Sequence, residues 1–110
     1  MNIKKAPSAT NTSFHGDEIS TTLNDLIKVF GQPHDTDIDG KVNYEWDLQL
    51  EDGTIFTIYD WKEYRDFGDN EDIDWHIGGK EKRDTIKARL ILEELIPNSM
   101  GRSGHPFFLI

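Results

Sequence analysis

From Val42 onward the chain alternates strictly, with Val42, Tyr44, Trp46, Leu48 and Leu50 separated by Asn43, Glu45, Asp47 and Gln49. A period of two is that of a strand with one buried face. Glu51-Asp52-Gly53 then turns the chain. With Gly53 in the left-handed position after a type I turn, Leu50 faces Thr54, and Phe56 and Ile58 fall beside Leu48 and Trp46. A two-residue turn centred on Asp52-Gly53 would instead bring Ile55, Thr57, Tyr59 and Trp61 to that face. The first register is preferred, and it leaves Tyr59 and Trp61 on the opposite face near Glu45 and Asp47. A third strand follows an acidic loop from Lys62 to Asp72: Ile73, Trp75 and Ile77 alternate with Asp74 and His76, and Gly78-Gly79 breaks it.

Two helices flank these strands. Leu23, Leu26, Ile27 and Phe30 fall at i, i+3, i+4 and i+7, a single apolar stripe, with Thr22 and Asp25 as a variant capping box and Gly31 and Pro33 as the stop. The second helix runs from about Glu81 to Ile96, where Pro97 ends it. Its apolar residues cover a wide arc, which suits packing on the sheet and on something else besides. Residues 1–16, rich in Ser, Thr, Asn and Lys, read as a flexible lead-in, 17–97 as a single domain and 98–110 as a tail. The tail closes on Phe107-Phe108-Leu109-Ile110, an apolar run suited to the second sheet face or to a homodimer contact. The order α-β-β-β-α predicts an α+β domain of two layers, a three-stranded, mainly antiparallel sheet packed by two helices.

Composition narrows the class. One domain is what 110 residues allow, and 11% aromatic content is too high for a disordered acidic tail even though only 35% of the chain is hydrophobic. The absence of cysteine removes disulfides and thiolate metal sites and fits a reducing compartment. No stretch has the apolar length of a signal peptide core or a membrane helix, so the expectation is a cytoplasmic protein. Charge is unevenly spread. Between Asp35 and Asp74 there are fourteen acidic residues against Lys41, Lys62 and Arg65, a net of −11 within a chain whose total is −9. A field of one sign selects partners of the other and repels nucleic acid.

Several constellations carry candidate chemistry. Asp35-Thr36-Asp37-Ile38-Asp39-Gly40 matches the first half of a calcium loop, but its twelfth position is Trp46, so a solvated loop before a strand is the better reading and no metal is expected. His76, two residues from Asp74 and within reach of Tyr59 or Asp47 across the sheet, could serve as an acid/base group. An exposed strand histidine is more often a plain surface residue, and the chain is read as non-enzymatic and without cofactor. Gly78, Gly79 and Lys80 join a strand to a helix that carries Arg83 in its first turn, an arrangement that could hold a nucleotide or other small anion on free backbone N–H groups. The remaining cluster is acidic and aromatic: Glu45, Asp47, Asp60, Glu63, Asp66, Asp69, Glu71, Asp72 and Asp74 would supply a field, and Tyr59 and Trp61 an anchor.

The run Glu45-Trp46, Leu50-Glu51-Asp52-Gly53-Thr54, Thr57-Ile58-Tyr59-Asp60-Trp61-Lys62 and Trp75-His76-Ile77-Gly78-Gly79 resembles a group of small proteins encoded by tailed bacteriophages, over about residues 22–95. The resemblance implies a phage accessory protein, a class in which many members bind and inhibit host or defence proteins, and it brings no functional residue with it. Joined to the −11 window, it leads to an expected function: an acidic binding protein, acting in the host cytoplasm, that occupies a basic surface, such as a nucleic-acid-binding one, of a host or defence protein. The alternative is capture of a small anionic ligand at Gly78, Gly79, Lys80 and Arg83.

Overall fold

A computed structural model describes residues 2–38, 42–62 and 67–103 of the chain, of which 35–38 and 103 are described by their backbone alone. In chain order the elements are β1 (Lys4–Lys5), β2 (Ser13–Thr22), α1 (Leu23–Phe30), β3 (Asp35–Ile38), β4 (Val42–Gln49), β5 (Ile55–Asp60), β6 (Asp72–Gly79), α2 (Lys82–Leu95) and β7 (Met100–Ser103). The seven strands form one antiparallel sheet in the order β1-β4-β5-β6-β2-β7, and β3 pairs with the same edge of β4 as β1 does. The strands therefore fill six positions. The three-stranded sheet expected from periodicity is corrected on this point, while the α+β class stands. β4, β5 and β6 are the strands that the alternation shows.

The hairpin between β4 and β5 has the preferred register. Trp46 faces Ile58, Leu48 faces Phe56, and Leu50 N–H donates to the Thr54 carbonyl at 2.9 Å. Gly53 has φ +93°, a conformation that side chains other than glycine's resist, and this is what a type I turn followed by a left-handed residue requires. α1 begins where Thr22 accepts a hydrogen bond from the Asp25 N–H at 3.0 Å.

One hydrophobic cluster lies between the sheet and the helices. Ile19, Trp46, Leu48, Phe56, Ile58, Trp75 and Ile77 project from the strands, Leu23 and Leu26 from α1, and Ala88 and Leu92 from α2. Both fully buried indoles satisfy their N–H groups on backbone carbonyls, Trp46 on Gly31 at 2.9 Å and Trp75 on Thr21 at 3.0 Å. β2 enters this core with polar residues as well. Asp17 is wholly buried and accepts from Lys82 Nζ (2.8 Å), Thr85 Oγ1 (2.6 Å) and Arg89 Nε (3.0 Å), so its charge is paired inside the sheet-to-helix layer. Burial works to raise the Asp17 carboxyl, but the bonds from Lys82, Thr85 and Arg89 outweigh it and hold it below the usual range.

The chain's alternation leaves a second sheet face away from both helices. β1 and β2 lie on opposite sides of the β4-β5-β6 block, so the connection between them has to pass these three strands. Ala6 N–H bonds the Asp47 carbonyl at 2.9 Å at the start of that crossing, and Ser13 pairs with Gly79 at its end. Thr57, which points away from the helices, is buried on this face, and the Asp47 Oδ1 atom is buried without a hydrogen-bond partner among the described residues. The other end of this face stays open.

Candidate functional site

At the open end a single transverse row crosses five strands: Glu45 opposes Tyr59, Tyr59 opposes His76, His76 opposes Glu18, and Glu18 opposes Arg102. Antiparallel pairing in register brings such residues within side-chain reach. Between Phe14 and Glu18 the β2 ladder slips, since Phe14 faces Gly78 and Glu18 faces His76, which gives β2 three residues opposite the single Ile77. Asp17 falls on the helix side with Ile19 and Thr21, and the bulge brings Phe14 opposite Gly78, on the open face with Glu18.

The row is aromatic at its centre. His76 stacks on Phe14 with ring centroids 3.8 Å apart and planes 12° from parallel, and on Trp61 at 6.0 Å and 21°. Tyr59 meets His76 edge-on at 5.5 Å and Trp61 at 6.3 Å. Phe14 and Trp61 remain 42% and 39% exposed, which makes them two of the few large apolar side chains left in water. Lys62, held at φ +57°, places its Nζ 5.6 Å from the centre of the Trp61 ring.

Carboxylates border the rings. Glu18 Oε2 lies 3.2 Å from His76 Nε2, and Glu18 Oε1 accepts from Arg102 Nε at 3.0 Å. Arg102 also bonds Asp74, whose other oxygen takes the Ser20 hydroxyl. Burial lowers the His76 pKa below its ordinary value, against the opposing pull of Glu18 and Asp74. Burial also pushes the Tyr59 hydroxyl up to about 12, helped by the Glu45 charge. At neutral pH both groups are therefore uncharged hydrogen-bonding rings. The partner of His76 is Glu18 from β2, and Asp74 bonds Arg102 and Ser20.

The acidic residues singled out from sequence do not gather on one surface. Glu45 and Asp74 share the open end with Tyr59 and Trp61, while Asp47, opposite Thr57 and with one oxygen buried, lies on the same face towards its covered end. Asp60 is fully buried, with its oxygens accepting from Asn43 N (2.9 Å), Asn43 Nδ2 (2.7 Å) and Tyr44 N (2.8 Å), so it anchors the start of β4 from inside the fold. Asp69 and Asp72 are exposed; the Asp69 carbonyl accepts from Asn24 N–H at the start of α1. Glu71 is half-buried, with an oxygen 3.3 Å from the Gly68 N–H. Glu63 and Asp66 lie outside the described residues, as do Asp39-Gly40 of the calcium-like run and the Phe107–Ile110 tail. Asp35–Ile38 of that run is strand β3. Among the described residues no three His, Asp or Glu side chains converge on a metal position.

The glycine corner is differently built from the expectation. Gly78 and Gly79 sit buried inside β6, where they admit close neighbours: a Cβ on Gly78 would lie 2.4 Å from Thr57 Oγ1 and one on Gly79 2.8 Å from Thr85 Cγ2. At the start of α2, Arg83 pairs with Glu81 at 2.8 Å and Lys82 turns inward to Asp17, leaving Lys80 exposed beyond the strand end. No observation there points to an anion.

Phe14, Glu18 and Arg102 escape the periodicity reading. The signal for Phe14 and Glu18 lies in β2, where Glu18, Ser20 and Thr22 alternate with Ile19, Thr21 and Leu23 in a β-branched-rich run, whereas Arg102 belongs to the four-residue β7. Compared with known protein families, characterised proteins and solved structures, the chain finds no match.

Proposed function

We propose that the chain is a non-enzymatic binding domain whose open sheet face seats a basic surface of another protein. The phage-accessory resemblance gives that role a setting, in which the partner is a host or defence factor held inactive by occupation of its basic surface. The observation that carries the reading is the cluster of Phe14, Tyr59, Trp61 and His76, two of its rings well exposed, bordered by Glu18, Glu45 and Asp74. Trp and Tyr dominate binding energy where their rings are desolvated on docking, and flanking charge sets orientation and association rate. Because Arg102 already satisfies Glu18 and Asp74, ring contact supplies most of the affinity and charge the selectivity.

The test compares retention of proteins from phage-host lysate by the wild type and by Trp61→Ala with Phe14→Ala, both checked for unchanged thermal unfolding. A basic protein held by the wild type, released with rising salt and lost in the double variant supports the reading. An identical retained set in both, or retention indifferent to salt, overturns it.

A further inference from the structure

The open face holds, between its two exposed rings, a side chain that changes charge near neutral pH. Phe14 stands opposite Gly78 on one side of His76, and Trp61 follows Asp60, which pairs with Trp75 on the other side. The imidazole is therefore flanked by both rings, near parallel to Phe14 (12°) and to Trp61 (21°), while 15% of its side-chain surface stays in water for proton exchange.

Each described strand beside it contributes a charged or titratable group. From β2, Glu18 places Oε2 3.2 Å from His76 Nε2. From β5, Tyr59 meets the ring edge-on, with Glu45 of β4 opposite it. Asp74 lies two residues away on β6, Arg102 of β7 bonds both Glu18 and Asp74, and Lys62 reaches the Trp61 ring. Around the imidazole, Glu18 and Asp74 against the single guanidinium of Arg102 leave one net negative charge. An imidazolium cancels it. Burial keeps the ring neutral at pH 7, so the added charge arrives only on acidification. Its surroundings accept it, because aromatic faces attract a cation and Glu18 already stands at Nε2.

We propose that protonation of His76 is a switch that releases a basic partner from the open face. The proposal rests on the basic-surface reading of that face. At neutral pH the partner's cations meet aromatic rings bordered by an excess of carboxylate. In acid they meet an imidazolium lying between those same rings, and like charges brought close disfavour the contact. The other described histidines hold backbone groups elsewhere: His15 Nε2 bonds the Gly79 carbonyl, and His34 Nδ1 accepts from the Asp47 N–H.

Titration of decalysine into the full chain at low ionic strength, at pH 7 and at pH 5, tests the switch through the NMR signals of the Phe14 and Trp61 rings. Binding roughly three- to tenfold weaker at pH 5 is expected of the wild type, the scale of one charge acting over a few ångströms at a protein surface. His76→Phe keeps an aromatic ring between Phe14 and Trp61 and cannot titrate, so it should lose most of that difference while every other ionisable group stays in place. Reciprocity supplies a reading that needs no variant: saturating peptide should lower the His76 midpoint by the logarithm of the same factor. Equal affinity at the two pH values, an undiminished difference in His76→Phe, or a midpoint left in place or raised by the peptide overturns the switch and leaves the basic-surface reading standing. A peptide that does not reach Phe14 and Trp61 even at pH 7 removes that reading, and the switch with it.

Discussion

Asp17 shows how a single side chain ties the two layers together. It is fully buried, yet three donors from α2 converge on its two oxygens, and removing it takes from Lys82 and Arg89 the carboxylate they share, leaving Arg89 its pair with Glu93. Loss of one member of a buried ion pair typically costs 3–5 kcal/mol, and the partial exposure of Lys82 and Arg89 puts Asp17→Ala near the lower end, about 3 kcal/mol in a urea-unfolding experiment. Its depressed pKa means that the unfolded chain binds the proton more readily. The contribution of Asp17 is complete above its ordinary value of 3.8 and fades as pH falls through the lowered folded value. His76 has the same sign for a different reason, because burial disfavours its charged form. Its stabilising effect is present above the ordinary 6.5 and declines as pH falls below it. An NMR titration of His76 should give a midpoint below 6.5, and the stability gap between wild type and His76→Phe should narrow on going from pH 7 to pH 5. A midpoint above 6.5 would mean that Glu18 and Asp74 govern the ring.

Among the elements, legibility in sequence followed the chemistry of the core-facing positions. β4, β5 and β6 place Trp46, Leu48, Phe56, Ile58, Trp75 and Ile77 inward at every second residue, so the hydrophobic period shows them and their register. β2 is as long as any strand, but its inward positions are Asp17, Ile19 and Thr21, and two polar residues in three hide the alternation. Only the cations and hydroxyl of α2, more than sixty residues away, make Asp17 a core residue. β7 presents Gly101 to α2, β1 has two residues, and β3 reads as an oxygen-rich loop. The candidate face was legible in the same proportion: Tyr59 and Trp61 followed from the hairpin register, whereas Phe14, Glu18 and Arg102 depend on β2 and β7. Gly78 sits opposite Thr57 with no room for a side chain. Gly78→Ala would force its Cβ against Thr57 Oγ1, and a loss of about 1–3 kcal/mol is expected from overpacking of this kind. Thr57→Ala in the same background should restore part of it, and failure to do so would locate the strain in the backbone.

Across the whole molecule the acidic excess is partly cancelled where it matters. Asp17 is matched by Lys82 and Arg89, Asp52 by Lys87, whose bond holds the Asp52 carboxyl well below the usual range, and Glu18 and Asp74 by Arg102. What reaches solvent on the open face is therefore a weaker field than the −11 window suggests, and Arg102 is the residue that sets it. The side chain of Arg102 is 55% exposed, and ion pairs of that kind contribute about 0–1 kcal/mol, so Arg102→Gln should hardly move the unfolding midpoint. Its effect on a basic partner is another matter, since Glu18 and Asp74 would lose their internal counter-ion. Association should then quicken severalfold at low ionic strength and converge with the wild type once salt shortens the screening length to about 3 Å near 1 M. Slower association in Arg102→Gln would mean that Arg102 itself meets an acidic group on the partner, and the sign of the proposed surface would have to be reversed.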